Sequence, residues 1–190
     1  MIEKFTFDIQ APAFGFLSKT RDEDSRRLPS DKMFKKKMIL VKGDFEHRTH
    51  IVLKLLAYIL YYDPRLQIEM SVDMHYKPDL VVPGDHGVPE VWIDCGQVAP
   101  KKVETLAHKL KSTRLCLVKE TKREMEQFRK LIEKKVDYPE RLEYLSFEKG
   151  FVLGIAEALQ KTNEVTLYQV MENVIGFALN QEVFESALYL

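Results

Sequence analysis

Apolar and polar positions along the first third of the chain predict two strands followed by a long helix. Residues 2–10 alternate with the period of two that a half-buried strand requires, and residues 37–41 predict a second strand. After Asp44, a favourable N-cap residue, apolar positions recur with helical spacing until Asp63 and Pro64 end the helix. The apolar face of this predicted helix consists of Ile51, Leu55, Leu56, Ile59 and Leu60.

The middle of the chain predicts three short strands and a second helix. Residues 66–72 alternate as a strand, and residues 78–82 and 91–95 are short apolar runs joined by the turn-rich segment PGDHGVPE. We expect the last two to pair as a hairpin. The second helix opens at Ala99 and Pro100, with proline at a favourable first position. Its predicted buried stripe is Val103, Leu106 or Ala107, and Leu110.

The rest of the chain predicts further strands and helices that end in three consecutive strands. A short strand at residues 115–118 is followed by a charged amphipathic helix from Thr121 to about Lys135, then by a strand at 142–147 and a helix at 151–159. Met125, Phe128, Leu131 and Ile132 form the apolar face of the charged helix. The terminal segments VTLYQVM, VIGFAL and VFESALYL alternate and predict an antiparallel meander.

This mixture of strands and helices predicts an α/β fold of the α+β mixed-sheet type. Helices are expected to flank a central mixed sheet, and the C-terminal meander follows it. Uniform composition predicts a single domain over residues 1–190, with a core at about 38–118 and accessory helices and strands at 119–190. The charged run at 18–37 is expected to be a solvated loop, with a lid over a binding face as the alternative.

Composition excludes several classes of protein. The chain is 45% hydrophobic and 31% charged, which excludes collagen-like, low-complexity and wholly disordered chains. Its formal net charge is zero, with 29 basic and 29 acidic residues, unlike a strongly cationic nucleic-acid binder. There is no apolar run of the length that a membrane span needs, and the acidic start MIEKFTFDIQ is unlike a signal peptide. We expect a soluble cytoplasmic protein with no membrane partner.

The two cysteines predict buried thiols rather than a disulfide framework. Cys95 and Cys116 both lie in apolar runs, where a free thiol behaves as a small hydrophobic group. This usage is typical of a reducing compartment. Two cysteines also cannot form a zinc site of paired CxxC motifs.

Charge is unevenly distributed along the chain. Residues 101–135 carry twelve Lys and Arg against five Asp and Glu, whereas residues 137–190 carry three against nine. The middle helices can therefore present a basic face to a polyanion such as nucleic acid, or to an acidic protein. The simpler alternative is a solvated face with internal pairs such as Glu126 and Lys130.

Three carboxylates stand at unusual positions. Glu46 lies in the first turn of the long predicted helix, Asp79 follows Pro78 at a strand start, and Asp94 interrupts the apolar strand VWIDCG. A hard cation such as Mg²⁺ takes oxygen ligands, usually one or two carboxylates with substrate phosphate and water. Each acid also has a structural explanation: a favourable helix dipole for Glu46, a turn for Asp79, and a strand end for Asp94.

The order of these acids resembles that of the PD-(D/E)xK nuclease superfamily: one on a helix, then one on each strand of a hairpin. More narrowly, the chain is similar to the YaeQ family of bacterial proteins across roughly residues 46–118. The resemblance is carried by EHRTHIVLKLLAYILYYDPRLQIEMSV, KPDL, EVWIDCGQVAPKKVETLAHK and LCLV, and more weakly by EVTLYQVMENVIGFAL. It implies a restriction-endonuclease-like core in which Glu46, Asp79 and Asp94 are ligands for Mg²⁺ or Mn²⁺.

The chain departs from the superfamily pattern at the lysine. Gly96 stands two residues after the second acid, where a lysine is usual, and the YaeQ-like proteins have the same glycine. Some superfamily members supply the lysine from the following helix, and here Lys102 is the first candidate and Lys101 the second. Their role would be to stabilise charge on phosphate. Gln97 is a candidate to orient water or substrate, with a loop amide as the alternative.

The resemblance implies a divalent-metal-dependent nuclease-like protein that acts on phosphodiesters of nucleic acid. The alternative is a catalytically inactive nuclease-fold protein that serves as an interaction module for nucleic acid or protein. A protein partner or a homo-oligomer stays open. The phosphate-binding GxxxxGK[ST], dinucleotide-binding GxGxxG and GxSxG patterns are absent from the sequence, which disfavours kinases, dehydrogenases and α/β-hydrolases.

Overall fold

Two separate five-stranded sheets form the framework of the computed structural model, which describes residues 2–13, 33–171 and 173–190. In chain order the elements are β1 (Glu3–Pro12), β2 (Met33–Lys42), α1 (Arg48–Leu60), β3 (Gln67–Ile68), β4 (Leu80–Val82), β5 (Val91–Cys95), α2 (Pro100–Lys109), β6 (Arg114–Val118), α3 (Lys122–Ile132), β7 (Leu142–Leu145), α4 (Phe151–Ala158), β8 (Thr162–Met171), β9 (Val174–Leu179) and β10 (Glu182–Ala187). The chain divides into a first unit, Met1–Asp63 with Gly150–Ala187, and a second unit, Pro64–Lys149 with Leu188–Leu190.

The first unit contains the sheet β10-β9-β8-β1-β2. Its pairs are antiparallel except for β1 and β8, which are parallel, and β8, β9 and β10 form the predicted C-terminal meander. In β1, Phe5, Phe7 and Ile9 are buried, as the alternation predicts. Every residue from 51 to 60 of α1 is buried, so this helix is covered all round rather than on one face.

The second unit contains the sheet β3-β4-β5-β6-β7. Strands β4 and β5 form the predicted antiparallel hairpin, and β5, β6 and β7 are parallel neighbours. Helices α2 and α3 make the crossovers between the parallel strands, and such strands are apolar along their whole length because both faces are covered. The core of this unit includes Trp92, Val103, Leu106, Leu110, Leu115, Leu117, Met125, Ile132, Leu142 and Tyr144.

Several predicted boundaries were wrong. Helix α1 begins at Arg48 after the N-cap His47, not at Asp44, and no side chain caps it. The strand predicted at 66–72 shrinks to the two residues of β3. On α3, Met125 and Ile132 are buried as predicted, but Leu131, which follows the same apolar period, is 43% exposed.

The charged run predicted as a loop is partly strand. Residues 33–37 belong to β2, which pairs with β1 along its full length and so offsets the cost of ordering three consecutive lysines. Residues 18–32 of the predicted loop lie outside the described residues.

The mixed α+β class is confirmed, but there are two sheets where one central sheet was expected. Composition along the sequence does not reveal the division into two units, because the two segments of the first unit flank the second unit in the sequence. The single domain stays a prediction. None of the helices in the described part of the chain has the length and apolar character needed to span a bilayer.

Candidate functional site

The hairpin of β4 and β5 holds two of the three predicted acids side by side. Asp79 directly precedes β4, and its backbone N–H donates to the carbonyl oxygen of Ile93 at 3.1 Å. Its carboxylate Oδ2 accepts a hydrogen bond from the backbone N–H of Cys95 at 2.7 Å. Asp79 is therefore fixed across the hairpin from Asp94, the residue between those two partners.

Asp94 is a buried carboxylate with one oxygen in a strong ion pair and one oxygen without a hydrogen bond of normal geometry. Its side chain is 1% exposed, and Oδ1 accepts a hydrogen bond from Nζ of Lys102 at 2.8 Å. Among the described residues no donor reaches the buried Oδ2 with normal hydrogen-bond distance and angle. Burial raises the pKa of Asp94 and the neighbouring charge of Asp79 adds to the rise, whereas Lys102 and the indole N–H of Trp92 lower it.

Lys102 is held in place from several sides. Helix α2 begins at Pro100, so Lys102 projects from its first turn. Besides Asp94, its ammonium donates to the carbonyl oxygen of Lys77 at 3.0 Å and lies 5.5 Å from the ring centroid of Trp92. A lysine from the following helix therefore reaches the carboxylate of β5.

Lys119 is a fourth charged group at this place, and the sequence analysis missed it. It directly follows β6, is 5% exposed, and donates to the carbonyl oxygen of Gly96 at 2.5 Å. Its ammonium lies 3.8 Å from the ring centroid of Phe128. Burial lowers the pKa of Lys119 from 10.5 to about 8, and the nearby charge of Asp94 is among the effects that oppose this shift.

A signal for Lys119 was present in the sequence. It is the first charged residue after the apolar run of β6, and carboxyl ends of neighbouring parallel strands meet at one edge of a sheet. Asp94 is the next-to-last residue of β5, and Lys119 directly follows β6. We call Asp79, Asp94, Lys102 and Lys119 the carboxylate–lysine cluster.

The other two candidates near this place lie on the surface. Lys101 has a side chain that is 77% exposed and pairs with Glu104 at 3.5 Å. Gln97 is exposed in the turn after β5. Within the described residues, no hydrogen bond or ion pair joins either side chain to the carboxylate–lysine cluster.

Glu46 belongs to the first unit, where it lies two residues before α1 rather than in the predicted first turn and neutralises a buried lysine. Its Oε1 accepts from Nζ of Lys54 at 2.6 Å and lies 3.3 Å from Nε2 of His50, and its Oε2 accepts from the backbone N–H of Gly43 at 2.9 Å. Lys54 is 1% exposed. Burial alone would raise the pKa of Glu46, but the hydrogen bonds of Lys54 and Gly43 and the charge of Lys54 lower it.

The structure thus brings together Asp79 and Asp94 in the second unit and places Glu46 in the first. No group of three or more His, Cys, Asp or Glu side chains is arranged to hold a metal ion among the residues that the structure describes. A site of three acids stays a prediction. Two aspartates are nevertheless as many carboxylates as Mg²⁺ usually takes from a protein, with substrate oxygens and water completing its ligands.

Comparisons with known proteins agree on one family. A family model described as "YaeQ protein" matches residues 35–187. The crystal structure of a YaeQ protein from Xanthomonas axonopodis pv. citri has a TM-score of 0.72 at 15% identity, covering 99% of this chain and 97% of that one. The crystal structure of a YaeQ protein from Pseudomonas syringae has a TM-score of 0.65 at 14% identity, covering 99% of this chain and 93% of that one. These structures share the fold. No curated protein matches the chain.

The pairing of Glu46 with Lys54 predicts a large loss of stability when only one partner is changed. Glu46→Gln leaves a buried ammonium without its carboxylate, which should lower the free energy of unfolding by about 3 kcal/mol. Lys54→Met together with Glu46→Gln should recover most of that loss. Urea unfolding of the wild type, both single variants and the double variant measures the coupling; additive losses would contradict the pairing.

Burial of Lys119 predicts a pH-dependent stability. Because its pKa falls from 10.5 to about 8 on folding, the unfolded chain binds more protons between these values, and the free energy of unfolding rises with pH through that window. Below pH 8 both states are protonated and the penalty is constant. The free energy of unfolding of the wild type minus that of Lys119→Met should therefore rise by about 2 kcal/mol between pH 7.5 and 10.

Urea unfolding at several pH values measures this difference. The exposed Lys161, changed to methionine, is the control and should give a profile parallel to that of the wild type. A parallel profile for Lys119→Met as well would show that this amine keeps its ordinary pKa in the fold.

Proposed function

The chain belongs to the YaeQ family, and from this premise we propose that it binds a divalent cation at Asp79 and Asp94 and acts on phosphodiesters of nucleic acid. The placement of Asp79 directly before β4 and of Asp94 on β5, its hairpin partner, supports a relation to the PD-(D/E)xK nucleases. So does Lys102, which reaches Asp94 from the following helix. Glu46, by contrast, lies before α1 and not on it. In this proposal the site is the carboxylate–lysine cluster, and Glu46 supports the fold of the first unit.

The buried Oδ2 of Asp94, which accepts no hydrogen bond of normal geometry from the described residues, carries the proposal. A buried carboxylate oxygen without a hydrogen bond is costly, so an ion or a water is expected to satisfy it. Asp79 adds a second carboxylate near the same point, which raises the pKa of Asp94 and increases the attraction for a cation. Oxygen donors of this kind suit Mg²⁺ or Mn²⁺, which take one or two carboxylates and complete their shell with water and phosphate.

The two lysines add positive charge and hydrogen-bond donors, which carboxylates do not have. A cation held by Asp79 and Asp94 would polarise a water and offset negative charge at phosphorus. Lys102 has an ammonium already placed beside Asp94, from which it can donate to a phosphate oxygen as charge develops there. Lys119 holds the carbonyl of Gly96 and thereby fixes the turn that leads from β5 toward α2. We assign Lys119 a positioning role.

One observation favours a second candidate function. The ammonium of Lys102 makes two hydrogen bonds within the protein, to Asp94 and to the carbonyl of Lys77, and must give up at least one to reach a substrate. A nuclease fold without turnover, which serves as an interaction module for nucleic acid or protein, would keep both. Metal binding with no cleavage is the signature of that module.

Calorimetric titration with Mn²⁺ and Mg²⁺ tests the cation site. The wild type should bind with a dissociation constant in the millimolar range or tighter, and Asp79→Asn and Asp94→Asn should each weaken binding at least tenfold, because each removes a charged oxygen ligand. Asp8→Asn, a change at a side chain that is 49% exposed on β1, should leave binding unchanged. Thermal unfolding checks that the variants fold. Absence of metal binding by the folded wild type would contradict the proposal.

Cleavage of labelled single-stranded and double-stranded DNA and RNA then separates the two functions. For an enzyme, Lys102→Met should lower the rate by about 10²-fold or more while metal binding remains, since one donor to the developing charge is lost. Equal rates for wild type, Lys102→Met and Asp94→Asn would show that the activity comes from elsewhere. Metal binding without any cleavage would favour the interaction module.

A further inference from the structure

A cavity of about 590 Å³ lies in the second unit beside α2. Its walls come from one face of that helix, from Lys111 just beyond the end of the helix, and from the segment from residue 135 to residue 141 after α3. Five cationic side chains line it, against the two carboxylates of Glu104 and Asp137. The cations are Lys101, Lys109, Lys111, Lys135 and Arg141. We call this cavity the basic groove.

Three of these cations form no ion pair with the residues that the structure describes. Lys101 pairs with Glu104, and the guanidinium of Arg141 donates to the carbonyl oxygens of Leu110 and Lys111 just after α2. By contrast, none of the ammonium groups of Lys109, Lys111 and Lys135 lies within ion-pair distance of a carboxylate of the described residues. Arg141 therefore ties the two walls together, and the three lysines leave an excess of positive charge that favours an anionic ligand.

An aromatic side chain accompanies these charges. Tyr138 lines the same cavity and is 61% exposed, so its ring is available rather than packed in the core. Cations that follow a backbone together with an exposed aromatic ring are the features by which proteins bind single-stranded nucleic acid. A duplex would meet the lysines but would keep its bases stacked away from the tyrosine. An acidic peptide would likewise leave the ring without a base to stack on.

We propose that the basic groove binds the phosphate backbone of single-stranded nucleic acid, with a base stacked on Tyr138. The inference deepens the proposed function and rests on it for the fate of the bound strand. Helix α2 presents Lys101 to the groove and, one residue later, Lys102 to the carboxylate–lysine cluster. A strand that follows the groove therefore lies along the helix whose first turn reaches Asp94.

Fluorescence anisotropy with labelled DNA and RNA single strands of about 20 nucleotides, in EDTA, measures this binding apart from metal and cleavage. Changing Lys109, Lys111 and Lys135 together to glutamine should weaken binding at least tenfold at about 100 mM salt. It should also reduce the slope of log affinity against log salt by about 2, since each lost phosphate contact removes about 0.7. Changing Lys4, Lys149 and Lys161 to glutamine gives the same net charge and should alter affinity less than twofold.

Tyr138 supplies the second test. Tyr138→Ala should weaken single-strand binding about tenfold, whereas Tyr138→Phe keeps the ring and should bind like the wild type. A duplex of the same length and a polyglutamate peptide should both bind more weakly than the single strand. Circular dichroism establishes that each variant is folded. Failure of the wild type to bind a single strand, equal losses in the two triple-lysine variants, or a preference for duplex or peptide would each overturn the inference.

Metal titration of the groove variant keeps this inference distinct from the proposed function. With Lys109, Lys111 and Lys135 changed, Mn²⁺ affinity should equal that of the wild type, because the cation site uses Asp79 and Asp94. Single-strand binding that depends on the groove, in a protein that binds no Mn²⁺, would support the groove and refute the cation site. Mn²⁺ binding without single-strand binding would do the reverse.

Discussion

The burial of Asp94 is the constraint on which the site depends. A carboxylate that is 1% exposed on a parallel strand is tolerated only when another group compensates it, and Lys102 does so at 2.8 Å from the first turn of α2. That pair fixes the start of the helix against the end of β5. Lys102 engages only one carboxylate oxygen, so the contact that stabilises the second unit leaves Oδ2 near Asp79 without a hydrogen bond of normal geometry from the described residues. Asp94 therefore contributes both to the stability of the second unit and to the proposed cation site.

Sequence pattern predicted most elements because burial on one face leaves a clear period. Phe5, Phe7 and Ile9 alternate because one face of β1 is buried, and Val103, Leu106 and Leu110 recur because one stripe of α2 is buried. The wrong boundaries occur where contacts between elements distant in the sequence determine where a strand or helix begins. Three consecutive lysines suggest a loop, yet β2 continues through them because β1 supplies a full set of backbone partners. The start of α1 is displaced from Asp44 since no side-chain cap defines it.

The site shows the same division between local and long-range information. An acid in an apolar strand is visible in the sequence, and so is a lysine in the first turn of the next helix, so Asp94 and Lys102 could be found as candidates. Lys119 was missed because its position after an apolar run marks it only once β5 and β6 are known to be parallel neighbours, and that pairing is a long-range property. Glu46 was grouped with the aspartates by order alone, and order carries no information about the buried lysine that it contacts in the first unit.

Anomalous diffraction from crystals soaked in MnCl₂ tests the central claim most directly, because it locates the ion rather than its consequences. The account predicts a manganese peak about 2 Å from Oδ2 of Asp94, with an oxygen of Asp79 in the same coordination shell, and loss of that peak in Asp94→Asn crystals. A well-ordered wild-type crystal with no peak at these two aspartates, or a peak that persists in Asp94→Asn, would contradict it.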